Sequence, residues 1–450
     1  MRTLFSAFAF LFVLIALVLA GTWIASNGGT VRIDWGPYEM RTTVARLALL
    51  AAAAFLLLMI VVGLANLILR GPSRLKSRMR EKRQERGYKE LTRGLVAVAA
   101  GDAQEARRKA RKADQLLGHP PLTMLLVAQA AQLDGDREAA RKQFTEMLDH
   151  PETEFLGLRG LMVEALRRGD ETAARGFAER AHALRPDAVW AADALFALQG
   201  RTGDWLASQK TLEQARDRRA IDAAGSRRRR AVVLTERARQ ALVNLDRDSA
   251  LQLVREAHGD APALVAATAL LARLLIEQEK LKQAAKAIEK SWAATPHPEL
   301  AELYRRSARE DDVARYRRMG KLVELAPDVP ESHLAAARAA LDAGLTGEAR
   351  RHLEAVAAAP LDHRTARLWA DLEEADGHGD KARTWLSRAA EAEGDPVWHC
   401  GECLHVSPLW QAVCDQCGAF DAICWGRPGR QEIEPGRRIL PAPSLLAGAT

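Results

Sequence analysis

Gly101-Asp102, Gly135-Asp136, Gly169-Asp170 and Gly203-Asp204 recur at intervals of 34 residues. Each pair sets a residue that tolerates positive φ ahead of one whose carboxylate can cap a helix, the punctuation between consecutive helices. Five residues after each glycine stands Ala106, Ala140, Ala174 or Ser208, and seven further on Ala113, Met147, Ala181 or Ala215. Small side chains at those places let two helices approach closely. A turn signal at this fixed spacing predicts a run of antiparallel helix pairs.

The period continues with altered punctuation. Asp246 precedes Ala250, Lys280 precedes Ala284 and Ala285, Glu310 precedes Ala314, Gly344 precedes Ala349, and Gly377 precedes Ala382. Prolines such as Pro120, Pro151, Pro186, Pro262 and Pro296 close the units, as expected just past a helix end. About nine pairs fit between residues 86 and 393. In this spacing the chain resembles the tetratricopeptide-repeat (TPR) family.

A chain of 450 residues, 48% apolar but only 5% aromatic, suits an elongated Ala- and Leu-rich helical array better than one compact core. No β-rich alternation stands out before the C-terminus, so no sheet is expected there. One step, from Gly203 to Asp246, is 43 residues. The excess lies near residues 217–230 and includes Arg227, Arg228, Arg229 and Arg230. Such a run reads as a solvated helix start more readily than as a partner-binding patch.

Residues 4–25 and 47–69 are uncharged and long enough to cross about 30 Å of hydrocarbon, which predicts a two-span membrane hairpin over 1–70. Ten basic residues follow between Arg70 and Arg93, against Glu81, Glu85 and Glu90. By the positive-inside rule, everything after residue 70 is cytoplasmic, and the basic run adjoins anionic lipid rather than nucleic acid. The intervening loop reads Gly29-Thr-Val-Arg-Ile-Asp-Trp-Gly-Pro-Tyr-Glu-Met-Arg-Thr-Thr43. Between two spans and ahead of a TPR array, its Gly-x-Val-x-Ile-x-Trp-x-x-Tyr pattern resembles HemY-type proteins. These are bacterial inner-membrane TPR proteins associated with haem biosynthesis. The flavin-dependent oxidase that shares the name is excluded, because no G-x-G-x-x-G follows a strand.

All five cysteines fall after residue 399. Cys400-Gly-Glu-Cys403 and Cys414-Asp-Gln-Cys417 place four thiolates as two knuckles able to close a tetrahedron. The set suits zinc, with iron also fitting, and leaves no open position for chemistry. Trp398, Trp410, Phe420 and Trp425 are placed to supply a core for so small a domain. Cys424, His399 and His405 read as non-ligands. This ending resembles the rubredoxin-type metal domain of LapB-type adaptors, membrane-anchored TPR proteins that control lipopolysaccharide synthesis.

No G-x-S-x-G, P-loop or H-E-x-x-H occurs, and the carboxylates lie beside Arg and Lys as exposed helices require. His182 and His333 are the histidines weighed for haem ligation; isolated helix histidines are more often surface or cap residues. The expectation is an all-α chain. It has a membrane hairpin over 1–70, TPR repeats over 71–393, a four-cysteine metal domain over 396–426 and a disordered tail over 427–450. The resemblance implies a non-enzymatic scaffold that binds partner proteins, haem-pathway enzymes among them; a lipopolysaccharide adaptor is the alternative.

Overall fold

A computed structural model describes residues 29–35, 38–217, 223–309 and 311–429, with Ile15 and Trp23 besides; over 63–78 and much of 31–41 it describes the backbone alone. The expected span over 4–25, the turn at Glu310 and the tail beyond 429 lie outside the described residues. The chain divides into two compact units, 1–92 with 112–118, and 93–111 with 119–450.

In the first unit, β1 (Thr30–Trp35) pairs antiparallel with β2 (Tyr38–Thr43), in a register that sets Trp35 opposite Tyr38. This sheet corrects the expectation of none before the C-terminus. Val31, Ile33 and Trp35 alternate with Arg32 and Asp34, which is the pattern of a short strand. Helix α1 (Val44–Ala99), whose residues up to Thr92 belong to this unit, follows without a break where the apolar run gives way to the basic one. At about 1.5 Å per residue, its 56 residues extend roughly 84 Å. Leu49, Leu50, Phe55, Leu57 and Ile60 are all exposed. Among the described residues, no helix is long and apolar enough to cross a membrane. The end of α2 (Ala103–Leu117) also belongs to this unit, where Lys112 Nζ meets Glu90 Oε1 at 3.0 Å.

The second unit is a row of helix pairs. They are α3 (Pro121–Leu133) with α4 (Arg137–Glu146), α5 (Glu154–Arg167) with α6 (Glu171–Leu184), and α7 (Val189–Arg201) with α8 (Trp205–Asp217). Next come α9 (Ala223–Val243) with α10 (Arg247–Asp260), α11 (Val265–Glu277) with α12 (Leu281–Trp292), and α13 (Pro298–Arg306) with α14 (Asp312–Leu325). The last are α15 (Pro330–Asp342) with α16 (Thr346–Ala355), and α17 (His363–Ala375) with α18 (Gly379–Glu391).

The turns follow the sequence punctuation. Gly101, Gly135, Gly169 and Gly203 have φ between 71° and 76°. After each, the Asp amide reaches back to the helix it leaves, as Asp136 N–H does to Ala131 O at 3.0 Å, while the Asp carboxylate accepts from the next helix. Asp102, Asp136, Asp170, Asp204 and Asp246 all cap in this way, with N–O distances of 2.9–3.2 Å. The small residues five places on are buried where they were expected: Ala106, Ala140, Ala174 and Ser208 are all at 0% exposure.

Where glycine is missing, the conformation persists. Leu245 (φ 62°) and Glu279 (φ 61°) occupy the same left-handed turn position and make the same return bonds, Asp246 N–H to Ala241 O and Lys280 N–H to Leu275 O, both 2.9 Å. A side chain there costs about 1–2 kcal/mol that glycine avoids, partly offset by glycine's freer unfolded state. Leu245→Gly and Glu279→Gly are therefore each expected to stabilise the array by about 0.5–1 kcal/mol, read from the urea midpoint. No gain at either position would contradict this account of the turn.

The long step from Gly203 resolves into helix length. Helix α9 has 21 residues, where the first helices on either side have 13. Its extra turns carry the arginine run, and they do not form a solvated start as expected. Arg229 Nη1 reaches Asp193 at 2.7 Å, Arg230 Nη2 reaches Glu256 at 2.6 Å, and Arg228 reaches across to the C-terminal segment.

Candidate metal centre

The C-terminal segment forms a three-stranded antiparallel sheet in the order β4-β3-β5, from β3 (Val397–Cys400), β4 (Val406–Ser407) and β5 (Ile423–Gly426). Two turns built alike carry the cysteines. In the first, Cys400 N–H donates to His405 O at 2.8 Å and Leu404 N–H to Cys400 O at 2.9 Å. In the second, Cys414 N–H donates to Ala419 O at 2.9 Å and Gly418 N–H to Cys414 O at 2.8 Å. The residue four past the leading cysteine has positive φ in both, Leu404 at 60° and Gly418 at 71°. This bend turns backbone amides inward: the N–H groups of Glu402 and Cys403 face the Cys400 sulfur, and that of Ala419 faces the Cys417 sulfur.

The turns bring together all four cysteines expected from the sequence. Cys400 Sγ lies 3.6 Å from Cys417 Sγ, Cys403 Sγ lies 3.8 Å from Cys414 Sγ, and all four sulfurs fall within 4.8 Å of one another. A tetrahedral ion with metal–sulfur bonds near 2.3 Å needs sulfur–sulfur edges of about 3.8 Å, so the set fits a metal. Burial raises the Cys400 thiol and pushes Cys417 up to about 12, whereas the His405 amide draws Cys403 down. Four simultaneous thiolates in this space require a cation between them. Cys400, Cys403, Cys414 and Cys417 could thus hold one metal ion, and a closed S₄ shell leaves it no open position for substrate.

The neighbouring donors are engaged elsewhere. His405 Nε2 sits 3.2 Å from Asp415, and His399 Nε2 sits 3.5 Å from Cys424 Sγ across the β3–β5 pair. The histidines weighed for haem are also placed. His182 is buried with Nε2 3.0 Å from Gln214, and His333 Nδ1 lies 3.1 Å from His352 Nδ1.

The aromatic residues expected to give the segment its own core do something else. Trp398, Trp410, Ile423, Cys400 and Cys414 are buried in one apolar cluster with residues of α7–α15. Phe420 meets Phe196 of α7 edge-on, with ring centroids 4.8 Å apart. His297, which caps α13, stacks on Trp398 at 5.0 Å and meets Trp425 edge-on at 4.4 Å. Arg239 of α9 lies over Trp410 at 5.3 Å. The polar anchors are of the same kind. Arg228 grips Asp421 with both guanidinium arms, Nε to Oδ2 at 2.8 Å and Nη2 to Oδ1 at 3.0 Å. Arg201 donates to the carbonyls of Cys417 and Gly418 at 3.4 and 3.3 Å, and Arg427 reaches Glu393 at 2.9 Å. The metal segment is therefore seated on the first helices of several pairs rather than hanging from the last one. Only the arginine run and the long step marked this seat in the sequence; Phe196, Arg201 and His297 carry no local signal.

Comparison with known proteins gives four findings. Residues 29–135 match a family model described as the HemY protein N-terminus. The chain is 26% identical over 430 residues to the probable magnetosome protein Mms48 of Magnetospirillum gryphiswaldense, covering 92% of each. It is 29% identical over 129 residues to protein HemY of Escherichia coli, covering 29% of this chain and 32% of that protein. Among solved structures, a TPR protein from Parabacteroides merdae aligns at 14% identity and a TM-score of 0.28, covering 53% of this chain and 93% of that one. The repeat fold rests on the turns and helix pairs described above.

Proposed function

We propose, from the match of residues 29–135 to the HemY N-terminus, that this is a HemY-type chain and a non-enzymatic, membrane-anchored scaffold that binds partner proteins in haem (porphyrin) biosynthesis. The observation that carries the reading is the HemY-type N-terminal stretch running directly into successive helix pairs. Such pairs expose extended faces that dock protein segments. The exposed apolar side chains between Leu49 and Val62 on α1 support anchoring in the bacterial inner membrane, and the basic residues from Arg70 to Arg93 favour a cytoplasmic array beside anionic lipid. Zinc is the ion we assign to the four cysteines, with iron the alternative, and its part is to hold the segment folded.

Deleting the gene in the source bacterium tests the assignment. Haem and porphyrin levels are expected to change while lipopolysaccharide stays normal; the reverse pattern would favour a LapB-type adaptor. Porphyrinogen turnover by the purified chain alone would end the scaffold reading. The full-length relative supports a second reading, a magnetosome scaffold, which the deletion separates by leaving both haem and lipopolysaccharide unchanged.

A further inference from the structure

The seat of the metal segment is made by named side chains: Phe196 meets Phe420, His297 meets Trp398 and Trp425, and Arg239 lies over Trp410. The segment that covers them has little regular structure, three strands of 4, 2 and 4 residues. So short a piece has few sources of stability beyond a metal ion and its seat. The polar contacts that fasten it are concentrated on two helices, Arg201 of α7 and Arg228 of α9. The apolar clusters of α3–α4 and of α5–α6, the latter shared with α7, include no residue of the segment.

We propose that the metal centre locks a cover: loss of the ion from Cys400, Cys403, Cys414 and Cys417 frees residues 397–426 and opens the first-helix face from α7 to α13. In the locked state the segment is the array's own ligand. It shows what that face accepts: a carboxylate in the Arg228 fork, and aromatic rings against Phe196 and His297. A partner segment carrying an acidic residue beside an aromatic one fits the opened face. This last step rests on the scaffold reading; the opening itself does not.

The test is hydrogen exchange on the full chain in detergent, with metal content measured in parallel and no partner present. The zinc-loaded protein is expected to carry about one ion per chain. After chelation, or in the Cys414→Ser variant, residues 397–426 lose protection and α9 exchanges about tenfold faster, while α4 to α6 keep their rates. Arg228→Ala is expected to retain the metal and still speed exchange in α9 several-fold. Unchanged protection after the metal is gone would overturn the lock. So would equal loss across α4 to α6, which would make the ion a general stabiliser, and so would a protein that takes up no metal. None of these outcomes touches the scaffold reading, which the deletion phenotype decides.

Discussion

Acidifying the protein from pH 7 to pH 4 is expected to weaken the second unit by several kcal/mol, and two buried histidines supply much of the loss. His258 lies inside the α10–α11 contact with Nδ1 2.9 Å from Thr268 Oγ1, and burial, with Lys290 adding to it, pushes its pKa down to about 4. His297 sits under the metal segment, and burial, with Arg364 adding to it, also brings it to about 4. Both depart from an ordinary value of 6.5. The folded pKa is depressed, so the unfolded chain takes up protons first as the pH falls. The stability is whole above about pH 6.5 and is lost progressively down to about pH 4, at up to about 2–3 kcal/mol per histidine. Thiolate protonation releases metal in the lower part of this range, so the clean measurement is a comparison of variants. Urea midpoints from pH 7 to 4.5 should fall less steeply for His258→Leu than for the parent chain. Parallel curves would show that His258 charges as readily folded as unfolded.

Trp292→Ala is expected to cost about 3–5 kcal/mol in the middle of the array, more than any other single truncation proposed here. Trp292 ends α12, is at 0% exposure, and donates its indole N–H to Ser332 Oγ of α15 at 3.0 Å. Truncation removes the largest fully buried side chain and leaves the Ser332 hydroxyl, also at 0% exposure, without its donor. Trp292→Phe keeps most of the ring and loses the bond, so an intermediate cost of about 1–3 kcal/mol is expected. Opening free energies of α12 and α15 from native-state exchange report this locally, which suits an array whose repeats need not unfold together. A cost below about 1 kcal/mol for the alanine variant would show that the site collapses around the gap.

What could be read from the sequence was what the backbone requires locally. Gly135 and Asp136 announce a helix end and a helix start because a left-handed turn and a cap are needs of a few consecutive residues. Cys400, Cys403, Cys414 and Cys417 were legible for the same reason: a two-residue gap is the geometry of a knuckle. Leu245 and Glu279 mask the punctuation, because helix packing on both sides holds the turn against their side-chain preference. The β1–β2 hairpin carries a weak signal although Val31-Arg32-Ile33-Asp34 alternates, because only six residues on each side hold the pattern between long apolar runs. Of the seat, only the arginine run and the long step left a mark. Arg201 and Phe196 meet partners more than two hundred residues away, and no local period encodes such a contact.

That separation also sets an order of events during synthesis. Contacts between neighbouring helix pairs close as the chain leaves the ribosome, whereas Arg228 waits for Asp421, 193 residues later. At about 5–20 residues per second, α9 is made some 10–40 seconds before its partner. Throughout that interval the seat on α7 and α9 stands uncovered, because the stretch that packs on it has yet to be translated. A ribosome that stalls or terminates early near residue 395 would release a well-formed helical array that is sticky along one side, a natural client for chaperones.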